Sequence, residues 1–395
     1  MDLGGQRIET VIDNVSIKLQ QGDWYSGLKF ELANVAITGA DGESAIDLTA
    51  LSDSILATIL FVGDNKIIGR SGADGKTALT ANNIILESHD NGTVELHGGN
   101  GADATEAGGN GGAGGNAITA SNIVVDMTGT LNVYGGNGGN GADGKTGKNG
   151  VRGADGKQGS GMTYKGEKGG AGTNASAGER GGNGDNGGIG IKSSYLNVRK
   201  CNVCLLAGGA GGNGGTGGAG GVGGSGGTGT NGWSLVEKWG KDGGTGGAGG
   251  NGGTGGDGGK FGLAFSVDQY KFDFAANVNI FVGKTGDSGA GGSGGTGGTG
   301  GRGASCNGNS GVGGSGGNGG DSGNVYASGT IFEGQECDGS RTFIKQPQET
   351  GKVSDVGNGG AGGLAGNYGG KDGRNESRDG MQGFPGNKKG IIIRY

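Results

Sequence analysis

Apolar and polar positions along this chain fall into two alternating regimes. In the first, short runs alternate apolar with polar residues and are rich in β-branched side chains: AIDLTALSDSILATILFV (45–62), ALTANNIILES (78–88), AITASNIVVDMTGTLNVYGG (117–136), GIGIKSSYLNVRKCNVCLL (188–206), FGLAFSVDQYKFDFAANVNIFVG (261–283), GNVYASGTIFEG (323–334) and GIIIRY (390–395). A period of two with this composition predicts β-strands, and no stretch reads as a helix. ALTANNI (78–84) and AITASNI (117–123) are close copies. They mark an internal repeat whose unit is a strand pair followed by a glycine-rich excursion of variable length.

In the second regime the period is three. Ala210, Asn213, Thr216, Ala219, Val222, Ser225, Thr228 and Asn231 are separated almost entirely by glycine pairs, and the same spacing holds over Asp242–Lys260, Asp287–Arg302 and Val312–Asp321. Glycine accounts for 112 of the 395 residues and proline for 2. Such a composition alone suggests disorder, but a flexible linker needs no phase. Three residues per turn is the period of the polyproline II helix, which makes no internal hydrogen bonds. Its N–H and C=O groups therefore have to pair with neighbouring chains, and bare backbone on two of its three sides lets such chains approach. The GGX runs predict interior polyglycine II helices. From Gly138 the run keeps only one obligatory glycine per turn, with charged residues elsewhere, which predicts a helix at an edge. Collagen is the competing reading of that run, and the Pro-rich triplets it draws on are missing.

The predicted fold is all-β and irregular: short strand rungs, in a solenoid or a sandwich, carry long polyglycine II excursions packed as a bundle. Residues 1–100 read as a mainly β N-terminal region, 101–389 as the glycine-rich bundle with interleaved strands, and 390–395 as a closing strand.

Charge and chemistry narrow the function classes. Lys and Arg total 31 against 37 Asp and Glu, net −6 and interspersed, so no basic stripe for nucleic acid is expected. The start MDLGGQRIETV lacks the pattern of a leader, and no apolar run approaches the ~18 residues of a membrane span, so membrane insertion is not expected. GxGxxG matches recur throughout and mean nothing without a strand before and a helix after. The two histidines, His89 and His97, share one segment, SHDNGTVELH, which reads as a hairpin with an Asn-Gly turn. No nucleophile has a partner base, and the spacing of calcium β-rolls is not kept. No enzyme activity, catalytic residue, cofactor or metal is expected. Cys201 and Cys204 in CNVC should point to opposite faces of a strand, which suits neither a bridge nor a shared metal. Cys306 and Cys337 are able to form a disulfide, but buried or free thiols are the preferred reading of all four cysteines.

What remains is surface. WSLVEKW joins two long glycine runs, setting Trp233, Leu235 and Trp239 at the turn of a rigid glycine hairpin. Aromatics on such a loop suit recognition; they suit equally well a cap that shields the bundle end. Tyr164 in MTYKGEKGG is a further aromatic at an excursion end, and SCNGNSG (305–311) another excursion end.

Over about residues 100–390, glycine runs of period three with aromatic-bearing loops resemble the receptor-binding adhesins at the tips of T-even-like phage long tail fibres. The resemblance implies a polyglycine II bundle whose loops, Trp233 to Trp239 first, contact a host receptor, glycan or protein, from an extracellular or virion surface. The triplets are also similar to those of snow flea antifreeze proteins, which implies that Thr216, Ala219, Ser225 and Thr228 line a water-ordering face. A structural subunit of an extracellular filament or surface layer is the alternative, with copies of itself as partners and GIIIRY adding as a strand to a neighbour's edge.

Overall fold

In the computed structural model the described residues are 11–12, 16–18, 28–158, 165–233, 238–281, 283–304, 309, 311–323, 325–328, 332–337, 344–345, 358, 361, 364, 381–387 and 391–394. Among them strands and glycine excursions alternate and no helix forms. The strands build a curled parallel sheet of stacked coils, so the rungs form a solenoid. Each coil contributes three walls. The first is read off the column Ile46, Leu79, Ile118, Ile191, Phe265, each residue paired with the next. The second follows Ala57, Ile84, Ile123, Leu196, Tyr270. The third follows Ile37, Ile67, Leu96, Val133, Leu206, Ile280. All of these side chains are buried and face one apolar interior. Stacking like on like removes this surface from water at about 25 cal/mol per Å². It also explains why ALTANNI and AITASNI are copies: Leu79–Ser88 lies directly beneath Ile118–Met127 in unbroken register.

The corners decide which sequence signals misled. Between the second and third walls the chain turns at Asn34 (φ 51°) and, one coil on, Gly63 (φ 67°). The next corner residue is Gly92, where a Cβ would overlap the Gly63 carbonyl oxygen. The Asn-Gly step in SHDNGTVELH is thus a solenoid corner and not a hairpin turn. Leu79–Ser88 pairs with Ile118–Met127, and Thr93–His97 with Thr130–Tyr134. The turn chemistry was the same, but the hydrogen-bond partners of both strands lie in neighbouring coils.

The same corner overturns the expectation for CNVC. Cys201 and Cys204 are both fully buried, because the register of Ile191–Ala207 against Phe265–Phe281 shifts between them as the strand rounds the corner. The two thiols hydrogen-bond each other inside the solenoid; that bond and burial push the Cys204 thiol up. Cys201 Sγ also lies 3.1 Å from the Val203 carbonyl oxygen.

From the end of the third wall each coil sends out a glycine arm that returns to the first wall of the next coil. These arms lengthen from 98–116 to 135–189, keep that length at 208–262 and are shorter again at 283–323. Residues 98–116 make a short pair, then 135–157 with 166–189, 208–230 with 241–262, and 283–303 with 311–323 make long ones. Outgoing arms stack parallel in one layer and returning arms in a second, antiparallel to the first.

The arm 208–230 shows how each turn is satisfied. The first glycine of a triplet donates to the next outgoing arm (Gly217 N to Ala290 O, 2.8 Å), and the second donates across the layers (Gly218 N to Glu179 O, 2.8 Å). That second glycine leaves no room: a Cβ at Gly218 would overlap the Lys145 carbonyl oxygen. The third N–H faces outward and, where the preceding arm carries Asn or Asp, finds that side chain. Thr216 N donates to Asp143 Oδ1 (2.7 Å), Val222 N to Asn149 Oδ1 (2.9 Å) and Thr228 N to Asp155 Oδ1 (2.7 Å). Asn and Asp at third positions therefore act as acceptors for the coil above, and Asp103, Asn140 and Asn213 form one such ladder up to Asp287. This answers the backbone accounting that an isolated polyglycine II helix fails.

The single-glycine arm sits at the edge. The short arm pair beneath it ends near Gly109, which accepts from Ala142 N at 3.0 Å. Beyond that level the second positions carry Lys145, Lys148, Val151 and Lys157, all exposed. With no arm below, side chains replace its carbonyls: Lys148 N donates to Ser176 Oγ (2.6 Å), Val151 N to Thr173 Oγ1 (2.6 Å) and Lys157 N to Glu167 Oε2 (3.0 Å).

Candidate functional site at the end of the glycine bundle

Three long excursions start from neighbouring coils and are held in register, so they end at one level. Gly156 N donates to Thr228 O (2.8 Å), and Gly229 N to Arg302 O (2.9 Å). The described residues at their ends, 157–158 with 165–167, 230–233 with 238–241, and 302–304 with 309, therefore lie side by side at the bundle end. Thr230 knits the first two. Its N–H donates to Glu167 O (3.0 Å), its carbonyl accepts from Lys241 N (3.1 Å), and its Oγ1 accepts from Glu167 N (2.9 Å). Ala304 N to Lys241 O (3.0 Å) and Gly243 N to Asn309 O (2.9 Å) tie in the third loop.

The middle loop is a short antiparallel ribbon in which Asn231–Trp233 pairs with Lys238–Gly240. Trp239 is half-buried. Its indole crosses the ribbon, so a Cβ at Gly232 would collide with Trp239 Nε1. Gly232 of the ribbon lies against the backbone of Gly166. Trp233 occupies the first strand of the ribbon, opposite Lys238. Leu235, Tyr164 and Cys306 lie outside the described residues. Cys337 lies far along the chain from this loop cluster, its N–H bonded to Tyr270 O at 2.7 Å.

The rim is charged. Arg152 pairs with Asp155. Hydrogen bonds from the Thr228 hydroxyl and N–H, with Arg152 in support, hold the Asp155 carboxyl well below the usual carboxylate range. The rim thus keeps its carboxylate ionised in acid. Among the described residues no three of His, Cys, Asp and Glu come together as a metal site. The Asx ladder that holds the loops level was missed by sequence reasoning. Its signal was present as Asn or Asp at third positions one coil before the helix served.

Two other predicted surfaces can be placed. Thr216, Ala219, Ser225 and Thr228 do fall on one line of the outer layer, with Asn213 and Val222 among them and Lys284, Asp287 and Arg302 on the adjoining arm. The closing strand Ile391–Arg394 pairs parallel with Val325–Ser328 of its own chain along one of its two edges.

No protein-family model matches the chain, and no curated protein matches it. Among solved structures, a springtail antifreeze protein from Granisotoma rainieri, a bundle of nine polyproline type II helices whose crystal waters match the ice lattice, is similar at 26% identity over 48% of this chain and 89% of its own, with a TM-score of 0.11. At that TM-score the similarity carries no argument about this chain.

Proposed function

We propose that this protein is a non-enzymatic adhesin of an extracellular or virion surface, which uses the loop cluster at the bundle end to bind a cell-surface receptor. One observation supports the reading above others: three excursions from successive coils end at the same level and are laced together through Thr230, Lys241 and Ala304. Glycine arms lose much conformational entropy on ordering, so a chain that only needed a turn would gain nothing from arms of this length. Long, rigid arms with loops of varied sequence at one end suit display, since a pre-ordered loop loses little freedom on binding.

The test replaces 233–238 by a short Gly-Ser turn, retaining Trp239, and separately shortens 158–165. Circular dichroism checks that the strands persist. Binding of labelled protein to the host cell is expected to fall about ten-fold or more for at least one loop variant. Undiminished binding by both variants overturns the reading.

A further inference from the structure

Away from the loop cluster, the outer side of the corner between the first and second walls is recessed. Two cavities there, about 850 and about 530 Å³, share Ser194 and Asp268 and so make one trough. It runs along the solenoid axis, because its banks are built from equivalent positions of successive coils. One bank is Thr80, Thr119, Lys192, Ser266 and Glu333, each paired with the next. The other is Asn122, Tyr195, Gln269 and Gln335. Between the banks lie Asn82, Ser121, Ser194 and Asp268.

The chemistry of this trough selects one class of ligand. An extended peptide adding by strand pairing needs a free sheet edge, and here the backbone groups are spent on the ladders between coils. The banks are hydroxyls and amides, with Ala81, Ala120 and Val267 as the small apolar share of the lining. Asp268 and Glu333 outnumber Lys192, which disfavours a polyanion. The banks repeat once per coil, about 4.8 Å, close to the advance of one sugar unit in an extended glycan. We propose that the trough binds a neutral linear glycan laid along the solenoid axis, about one sugar per coil, with the ring of Tyr195 as a stacking platform and the amides of Asn122, Gln269 and Gln335 taking the hydroxyls. This site is separate from the loop cluster.

The test is calorimetric titration of the full chain with neutral linear hexasaccharides (β-1,4-glucan, β-1,4-mannan, β-1,3-glucan and β-1,4-linked N-acetylglucosamine), their disaccharides, and an oligogalacturonate as the anionic probe. At least one neutral hexasaccharide is expected to bind, about ten-fold or more tighter than its disaccharide. Tyr195→Ala should weaken that binding about ten-fold, and Ser194→Trp, an exposed position at the centre of the trough, should abolish it, with circular dichroism unchanged. The variant lacking the 233–238 loop should bind as the parent does. No binding by any neutral hexasaccharide at millimolar concentration, tighter binding of the anionic probe, or full binding by both trough variants would each overturn the proposal. Loss of binding only in the loop variant would overturn it as well, by placing the glycan at the bundle end.

Discussion

At the scale of single residues, stability in the bundle turns on what cannot be added. A methyl group on Gly250 would overlap the Ser176 carbonyl oxygen on one side with the Gly221 N–H close by. Gly250→Ala should therefore destabilise the protein by about 3 kcal/mol or more, read from chemical denaturation. Val151→Ala at the equivalent second position of the edge arm should stay within about 0.5 kcal/mol, because Val151 is exposed. His97 offers a second test. It stacks on Tyr134 at 4.7 Å between ring centroids, and its Nε2 lies 3.3 Å from Glu95 Oε2, which also takes Lys66 Nζ at 2.9 Å. Burial lowers the His97 pKa, against the pull of Glu95. Its proton is therefore held more tightly by the unfolded chain than by the folded one. The stability it contributes is full above the ordinary value of 6.5 and is lost as the pH falls through the depressed folded value. Melting temperatures followed from about pH 7.5 to about pH 5 should fall for the parent and fall less for His97→Phe, which keeps the stack.

For the elements, the question is how a bundle of identical arms stops growing. On the starting edge, Ser176, Thr173 and Glu167 cover the N–H groups of Lys148, Val151 and Lys157, and the lysines charge the rim. On the returning arm of the last described coil, Gln382 and Pro385 stand at first positions, where the arms below have glycine, and both are exposed. Proline has no N–H to offer a further arm, and edges closed by charge and proline resist pairing. Converting Lys145, Lys148, Lys157, Thr173 and Ser176 to glycine should reopen the first edge. Sedimentation velocity is expected to show self-association of that variant and a smaller species for the parent; equal behaviour would mean that the edge is not what limits growth.

The arms were legible in the sequence because period three survives any tertiary context, and the single-glycine run from Gly138 announced the edge. The walls were legible as strands. Their corners were not, since Asp90-Asn91-Gly92 carries hairpin chemistry whatever its partners are. Cys201 and Cys204 misled for a related reason: alternation holds along a straight strand, and Ile191–Ala207 bends between them. The loop cluster was half legible. Its aromatics stood out, but the levelling of three loops depends on bonds between residues 73 apart, such as Thr216 to Asp143, which no local pattern reveals.

On the scale of the whole molecule, solenoid and bundle share one hydrogen-bond network. Gly135 N donates to Ala207 O and Gly190 N to Leu263 O, so the ladders of the walls run without a break into the arms. The arms should therefore unfold with the strands. Native-state hydrogen exchange is expected to give the glycine amides of 214–226 the slow, denaturant-dependent exchange of Leu196 and Val198, while the outward N–H groups of Thr146 and Arg152 exchange fast. Rapid exchange throughout the arm would show that it melts independently.

The triplet arms also carry a consequence for descent. Because every arm is a straight rod with a three-residue phase, inserting one triplet in an outgoing limb and one in its returning limb lengthens the excursion without moving a single core contact. Deleting such a pair does the reverse. The progression from the short pair at 98–116 to the long pairs beyond it fits growth by this arithmetic. Lineages of this architecture can thus vary reach and loop sequence in separate steps, and length differences among natural variants are expected in multiples of six residues centred on the excursion ends.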